Sequence, residues 1–213
     1  MAQRADVGIY LDMDRCAYLQ KEGTMKRSTE QLERRGARRT VEAFATALME
    51  LVQSKSFESI SVRELCDRAD YPRATFYNYF DDKFDLLDFC WQRLDRAVDL
   101  QGMLAAPGNH AGFLFFDRIC DLIDGRADEL QAIARNNPET GCFFTSFLTG
   151  VSARARQVIE AGLCTHTCSV DPGLMAEHWA NTLLLVLSWK YLRGRDLSRE
   201  EARDALRMLV GHL

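Results

Sequence analysis

Between Arg73 and Lys83 the chain sets out a row of hydrogen-bonding side chains: Arg73, Thr75, Tyr77, Asn78, Tyr79 and Lys83. Its chemistry is recognition. An Asn amide suits the edge of adenine and an Arg fork suits guanine. A tyrosine hydroxyl donates to a phosphate oxygen, and a Lys ammonium attracts one. Phe76 and Phe80, four apart, interrupt the polar row and can point inward together as an anchor.

Short helices must position these groups. Val41, Phe44, Ala45, Leu48, Leu51 and Val52 keep a helical period that breaks at Lys55–Ser59. Ser61-Val62-Arg63-Glu64 is a capping box, and behind it Val62, Leu65, Cys66 and Ala69 form one apolar stripe of about two turns. Asp70 and Tyr71 make a turn. Pro72, favoured at a first helical position, opens a further helix that runs to Phe80. Asp81 and Asp82 end it and can cap the next, whose apolar residues are Phe84, Leu87, Cys90, Trp91, Leu94 and Val98. Two short helices joined by a tight turn, between two longer ones, have the layout of a helix-turn-helix, whose second helix presents its N-terminal residues to the major groove. In that layout Lys83 would bring both an ammonium and a helix N-terminus to a phosphate.

Further helices are expected at roughly 110–124, 127–136, 139–165, 172–193 and 198–212, with Gly102–Asn109 as a loop. The last opens on a second capping box, Ser198 to Glu201. No strand-like alternation persists, so the expected fold class is all-α.

The net charge is −4, which rules out a globally basic chain. Locally, Lys26, Arg27, Arg34, Arg35, Arg38 and Arg39 outweigh Glu30 and Glu33, giving this arm +4, whereas residues 97–213 carry −3. A basic arm on an acidic body suits one anionic partner surface. The seven cysteines are scattered and mostly flanked by apolar residues. With no secretory h-region, reduced thiols in a cytoplasm are the simplest account. The longest apolar run, Leu183–Leu187, is too short to span a bilayer, so no membrane role is expected. HExxH, GxSxG and glycine-rich phosphate loops are missing, so no catalytic residue, metal or cofactor is assigned. Cys164-x-His166-x-Cys168 lacks a fixed fourth ligand for structural zinc, with His178 the nearest candidate; metal or redox sensing by this segment is left open.

The segment ELCDRADYPRATFYNYFDDKFDLL resembles the DNA-binding domain of the tetracycline-repressor (TetR-type) family of bacterial regulators. The resemblance covers about residues 38–98 and includes the block Thr75-Phe76-Tyr77-x-Tyr79-Phe80-x-x-Lys83. Asp70 stands where the family usually has Gly, and Pro72 replaces a Ser or Thr cap, which removes one hydroxyl contact to phosphate. The resemblance implies a cytoplasmic homodimer with a three-helix helix-turn-helix domain (25–98) and a helical effector-binding and dimerisation domain (99–213). It implies binding to double-stranded DNA at a palindromic operator, released by a small molecule. By residue-by-residue match, Ser61, Arg63, Thr75, Tyr77, Asn78, Tyr79 and Lys83 are the expected DNA contacts, with Arg73 added from its chemistry. The alternative on the same fold is a coactivator or adaptor whose C-terminal domain binds a protein.

The C-terminal half resembles the family only in its helical layout. Phe113, Phe115 and Phe116, and then Phe143, Phe144 and Phe147, form two aromatic clusters. An apolar or aromatic effector pocket is expected at Phe113, Phe116, Phe143, Phe144, Phe147 and Trp179. The stretch Leu183–Leu192 is apolar nearly all round and must be covered on several sides. A four-helix dimer interface is expected to use Leu184, Leu187, Tyr191, Leu206, Leu209 and Val210.

Residues 1–24 show no clear period and precede a second Met, Met25. Lys21-Glu22-Gly23 is what a purine-rich ribosome-binding site would encode if translated, so the expectation is a start at Met25 and a non-native extension before it. Abundant peptides from residues 1–24, found by mass spectrometry of native protein, would refute this.

Overall fold

The structure, a computed structural model, describes residues 35–105, 111–163, 170–193 and 195–211. Ten α-helices and one 3-10 turn make up the elements of the described residues, which contain no strand. Residues 1–24, the first part of the basic arm and Cys164–Cys168 lie outside them.

Helix α1 (Arg35–Leu51) leads through the 3-10 turn Phe57–Ser59 to α2 (Val62–Ala69), α3 (Arg73–Tyr77) and α4 (Lys83–Ala97). The body follows: α5 (Leu100–Ala105), α6 (Ala111–Asp124), α7 (Ala127–Asn136), α8 (Cys142–Leu163), α9 (Pro172–Tyr191) and α10 (Arg199–Val210). Helix α5 occupies part of the stretch expected to be a loop.

The ends of these helices follow local chemistry. Ser61 Oγ accepts from the Glu64 amide, and Glu64 Oε2 accepts from the Ser61 amide at 2.9 Å, which completes the expected capping box. Ser198 and Glu201 repeat it on α10. Asp82 Oδ1 accepts from the amides of Phe84 (2.8 Å) and Asp85 (3.0 Å) and so caps α4. Asp70 takes a left-handed conformation, φ 58°, at the α2–α3 turn; Asp tolerates this region better than most non-glycine residues. Pro72 is the N-cap of α3 rather than its first residue, and α3 stops at Tyr77, three residues before the expected end.

Two apolar cores result. The first is built from α1, α2, α3 and α4 and centres on Phe44, Leu48, Leu65, Phe76 and Phe80, each 0% exposed. It continues into the body through Ile133, Phe143 and Phe144. The second lies among α6, α8, α9 and α10 and includes Phe115, Phe116, Ala155, Leu183 and Leu206. Helices α6 and α9 meet closely at Gly112, where a Cβ would fall 2.6 Å from the Trp179 ring; only glycine fits without a shift.

Truncating Phe76 removes a ring that packs edge-on against Phe44 at 5.2 Å and tilted against Phe80 at 5.4 Å. Phe76→Ala is expected to destabilise the chain by about 3–5 kcal/mol. Urea unfolding will show this as a lower midpoint; a midpoint close to wild type would refute the anchor role.

Candidate nucleic-acid interface

Helix α3 is a single short helix held on one side by buried rings. Phe76 and Phe80 are fully buried against Phe44, so their side of α3 is fixed to α1. The opposite side carries Arg73 and Asn78, both exposed, and Tyr77, which is 48% exposed although its ring edge also meets Phe76 at 5.5 Å. Thr75 is half-buried. Tyr79 is half-buried too, with its ring 6.5 Å from Phe80, so it stands less far out than its neighbour Tyr77.

Helix α2 contributes Ser61 and Arg63. Ser61 is exposed, and its hydroxyl serves the capping box, donating to Glu64 Oε2 at 2.8 Å. Arg63 is exposed and lies 3.6 Å from Asp67 one turn on, a loose pair that costs little to break. The Lys55 ammonium and the two Ser61 bonds hold the Glu64 carboxyl down to about 2, so the cap keeps its charge across the physiological range. Arg38 and Arg39 on α1 are exposed and are the described end of the basic arm.

Lys83 departs from expectation. Its ammonium donates to three carbonyls, those of Phe57 (2.9 Å), Glu58 (2.8 Å) and Ile60 (2.9 Å). It also lies 4.9 Å from the centre of the Phe57 ring. An ammonium has three donors, so these bonds account for all of them. The side chain closes the 3-10 turn instead of reaching toward a phosphate. The sequence carried no local sign of this, because the acceptors lie more than 20 positions away.

The expected pocket residues fall in two places. Phe143, Phe144 and Phe147 line a cleft of about 90 Å³ together with Met49 and Trp91 of the N-terminal unit. Phe113 instead packs edge-on against Trp179 at 5.3 Å, under the guanidinium groups of Arg203 and Arg207 at 5.8 Å each. Phe116 is 0% exposed within the body core. One pocket made from all six is therefore not what the structure shows. Sequence reasoning missed Met49 and Trp91 because they belong to helices assigned to the other domain.

The expected dimer residues need a similar correction. Leu187, Leu206 and Val210 are buried in the chain's own core, where no partner reaches them. Leu184 and Tyr191 are half-buried, and the Tyr191 hydroxyl donates to Asp124 at 2.8 Å. Of the six, Leu209 stands out, at 53%. With it are exposed Met208 on the same helix and Leu174, Leu185 and Trp189 on α9.

Among the described residues no three His, Cys, Asp or Glu cluster as metal ligands, and no helix is long and apolar enough to cross a membrane. Cys66, Cys90, Cys120 and Cys142 are buried. Burial pushes Cys90 up to about 12 and raises Cys66 and Cys120, which keeps them protonated and unreactive.

Two short helices joined by a tight turn at Asp70, the second partly exposed, have the helix-turn-helix layout. Residues 44–89 match the family described as bacterial regulatory proteins, tetR family. The match falls within the N-terminal unit and supports a tetR-family regulator. No curated protein matches it. Among solved structures, a putative TetR-family transcriptional regulator from Syntrophomonas wolfei str. Goettingen is similar at 17% identity and a TM-score of 0.60, covering 84% of this chain and 98% of that one. The dihydroxyacetone kinase operon activator DhaS is similar at 17% identity and a TM-score of 0.52, covering 80% of this chain and 92% of that one. At that identity both bear on the fold alone.

Lys83→Met is expected to cost about 2 kcal/mol, because three carbonyls lose a charged donor. A phosphate contact would predict the reverse pattern, unchanged stability with a DNA-binding salt slope reduced by about one. Urea unfolding of the variant separates the two.

Proposed function

We propose that the chain is a homodimeric repressor that reads a palindromic operator with α3 and leaves it when a small apolar or aromatic molecule binds the helical body. The N-terminal unit would act as the operator-binding domain and the rest as the effector-binding and dimerisation domain. What carries this reading is the pairing, in α3 and the three residues after it, of buried Phe76 and Phe80 with exposed Arg73, Tyr77 and Asn78. A helix pinned on one side offers its groups to base edges without having to be ordered on binding. Arg73 and Asn78 are the proposed base readers, with Thr75 beside them; Ser61, Arg63, Tyr77 and Tyr79 are proposed phosphate or sugar contacts.

The second copy is proposed to cover the apolar face of Leu185 and Trp189 on α9 and Met208 and Leu209 on α10. Two such faces, one from each chain, make a four-helix contact of the kind that C2 dimers favour. The dimer would set the two α3 helices about 34 to 36 Å apart, one turn of duplex. A ligand that favours a different separation would shift the population away from the bound form.

Activation is the second reading, and the name of one structural relative, an operon activator, favours it. A reporter fused to the bound promoter distinguishes the two, since deleting the regulator raises expression under repression and lowers it under activation.

In a gel shift against DNA upstream of its own gene, the chain should form a sequence-selective complex whose affinity falls steeply with salt. Arg73→Ala should weaken the specific complex by about 1–3 kcal/mol and relax selectivity at one base. A complex indifferent to sequence and salt would overturn the proposal. Leu209→Glu, at an exposed site, should shift the dimer toward monomer in sedimentation and weaken operator binding while leaving folding intact; an unchanged dimer would place the interface elsewhere.

A further inference from the structure

The connection from α7 to α8, Asn137-Pro138-Glu139-Thr140-Gly141, grips two separate parts of the molecule. At one end is the N-terminal unit. Asn137 is 2% exposed; its Oδ1 accepts from the Phe57 amide at 2.8 Å, and its Nδ2 donates to the Val52 carbonyl at 2.9 Å. Glu58 returns the contact, since its Oε1 accepts from the Cys142 amide at 2.8 Å. The approach is close: a Cβ on Gly141 would fall 3.2 Å from that oxygen. Phe57 and Glu58 belong to the turn whose carbonyls hold Lys83.

At the other end is α9. Glu139 Oε1 accepts from the Ser188 hydroxyl, and Glu139 Oε2 accepts from Arg193 Nε at 3.3 Å. The same Arg193 Nε also donates to Ser188 Oγ at 3.1 Å. Ser188 is 5% exposed, and its carbonyl takes the amides of Leu192 and Arg193 where the helix ends. The Ser188 bond, aided by Arg193, outweighs partial burial and holds the Glu139 carboxyl below the usual carboxylate range, so it stays charged at neutral pH. On α9, Ser188 stands between the exposed Leu185 and Trp189. Apolar contacts, such as Trp91 against Phe143 at 5.1 Å, also join the N-terminal unit to the body. They are non-directional, whereas hydrogen bonds weaken steeply with angle, so the connection can fix a tilt as well as a distance.

We propose that Glu139 and Ser188 are positioning residues, which through the 137–141 connection lock the tilt of the N-terminal unit to α9. The lock is stiff because slippage would strand the buried Asn137 amide or the buried Ser188 hydroxyl without a partner. Helix α9 also bears the face proposed for the second copy. The lock would therefore set the tilt of α3 relative to the dimer axis, and with it the spacing of the two reading helices. That consequence rests on the DNA-binding and dimer readings above; the lock itself does not.

Ser188→Ala in the full chain, without DNA, tests the lock. Amide exchange followed by NMR should rise about tenfold at Phe57 and Cys142, while the core amides of Leu48 and Leu87 change by less than about twofold. Glu139→Ala should reproduce that pattern. Glu139→Gln, which keeps an oxygen for the Ser188 hydroxyl, should show a rise below about threefold at Phe57. Unchanged exchange at Phe57, or an equal rise at Leu48, would overturn the proposal; the second result would mean a general loss of stability. The two Glu139 variants decide should Ser188→Ala not fold. On operator DNA, one base pair inserted between the half-sites should cost the wild type about tenfold in affinity and Ser188→Ala about threefold. An equal cost in both would remove the positioning role. If the wild type forms no DNA complex, the operator reading fails and the exchange pattern still decides the lock.

Discussion

The ammonium of Lys83 and the three carbonyls it binds form the junction on which the rest of the molecule depends. The 3-10 turn Phe57–Ser59 sits where α1 ends and before the Ser61 cap of α2, and Lys83 begins α4. One side chain thus ties together the two segments flanking the helix-turn-helix. The carbonyls of a short 3-10 turn have few partners of their own. A cation placed there satisfies them and complements their partial negative charge. Phe57, 0% exposed, fastens the same turn from the apolar side, edge-on to Phe84 at 5.1 Å.

Given that junction, five-residue α3 needs little intrinsic stability. An isolated helix of that length would not form in water. Its order comes from tertiary packing, as the T-shaped contact of Phe44 with Phe76 shows. This division of labour explains why bulky rings and hydrogen-bonding groups alternate so densely there. The rings supply burial and fix orientation, while Arg73, Tyr77 and Asn78 stay exposed. Lys83 is the exception, a polar group recruited into the scaffold.

The body solves a different problem. Helix α9 is apolar along most of its circumference, and α6, α8 and α10 cover it with Phe115, Val158 and Leu206 among others. What they leave uncovered is confined to one side, with Leu185 and Trp189 four apart and Met208 and Leu209 on the next helix. The arginines of α10 reinforce its seat: Arg199 and Arg203 pair with Asp117, at 3.6 and 2.8 Å. A helix tied down on its polar edge can hold an exposed apolar face without collapsing onto its neighbours.

Much of this was legible in the residues alone. The capping boxes at Ser61 and Ser198, the turn at Asp70 and the inward pair Phe76 and Phe80 depend on neighbours within four positions, and a linear chain displays such relations openly. So did the all-helical class, which follows from apolar period. Tertiary structure alone decided where Lys83 spends its donors, that Asn137 clamps a turn 80 positions earlier, and that Leu206 faces inward while Met208 faces out. Local period says that a helix has an apolar side but not what covers it. A polar side chain, likewise, finds its partner only when folding brings distant backbone within 3 Å, and no spacing rule encodes that meeting.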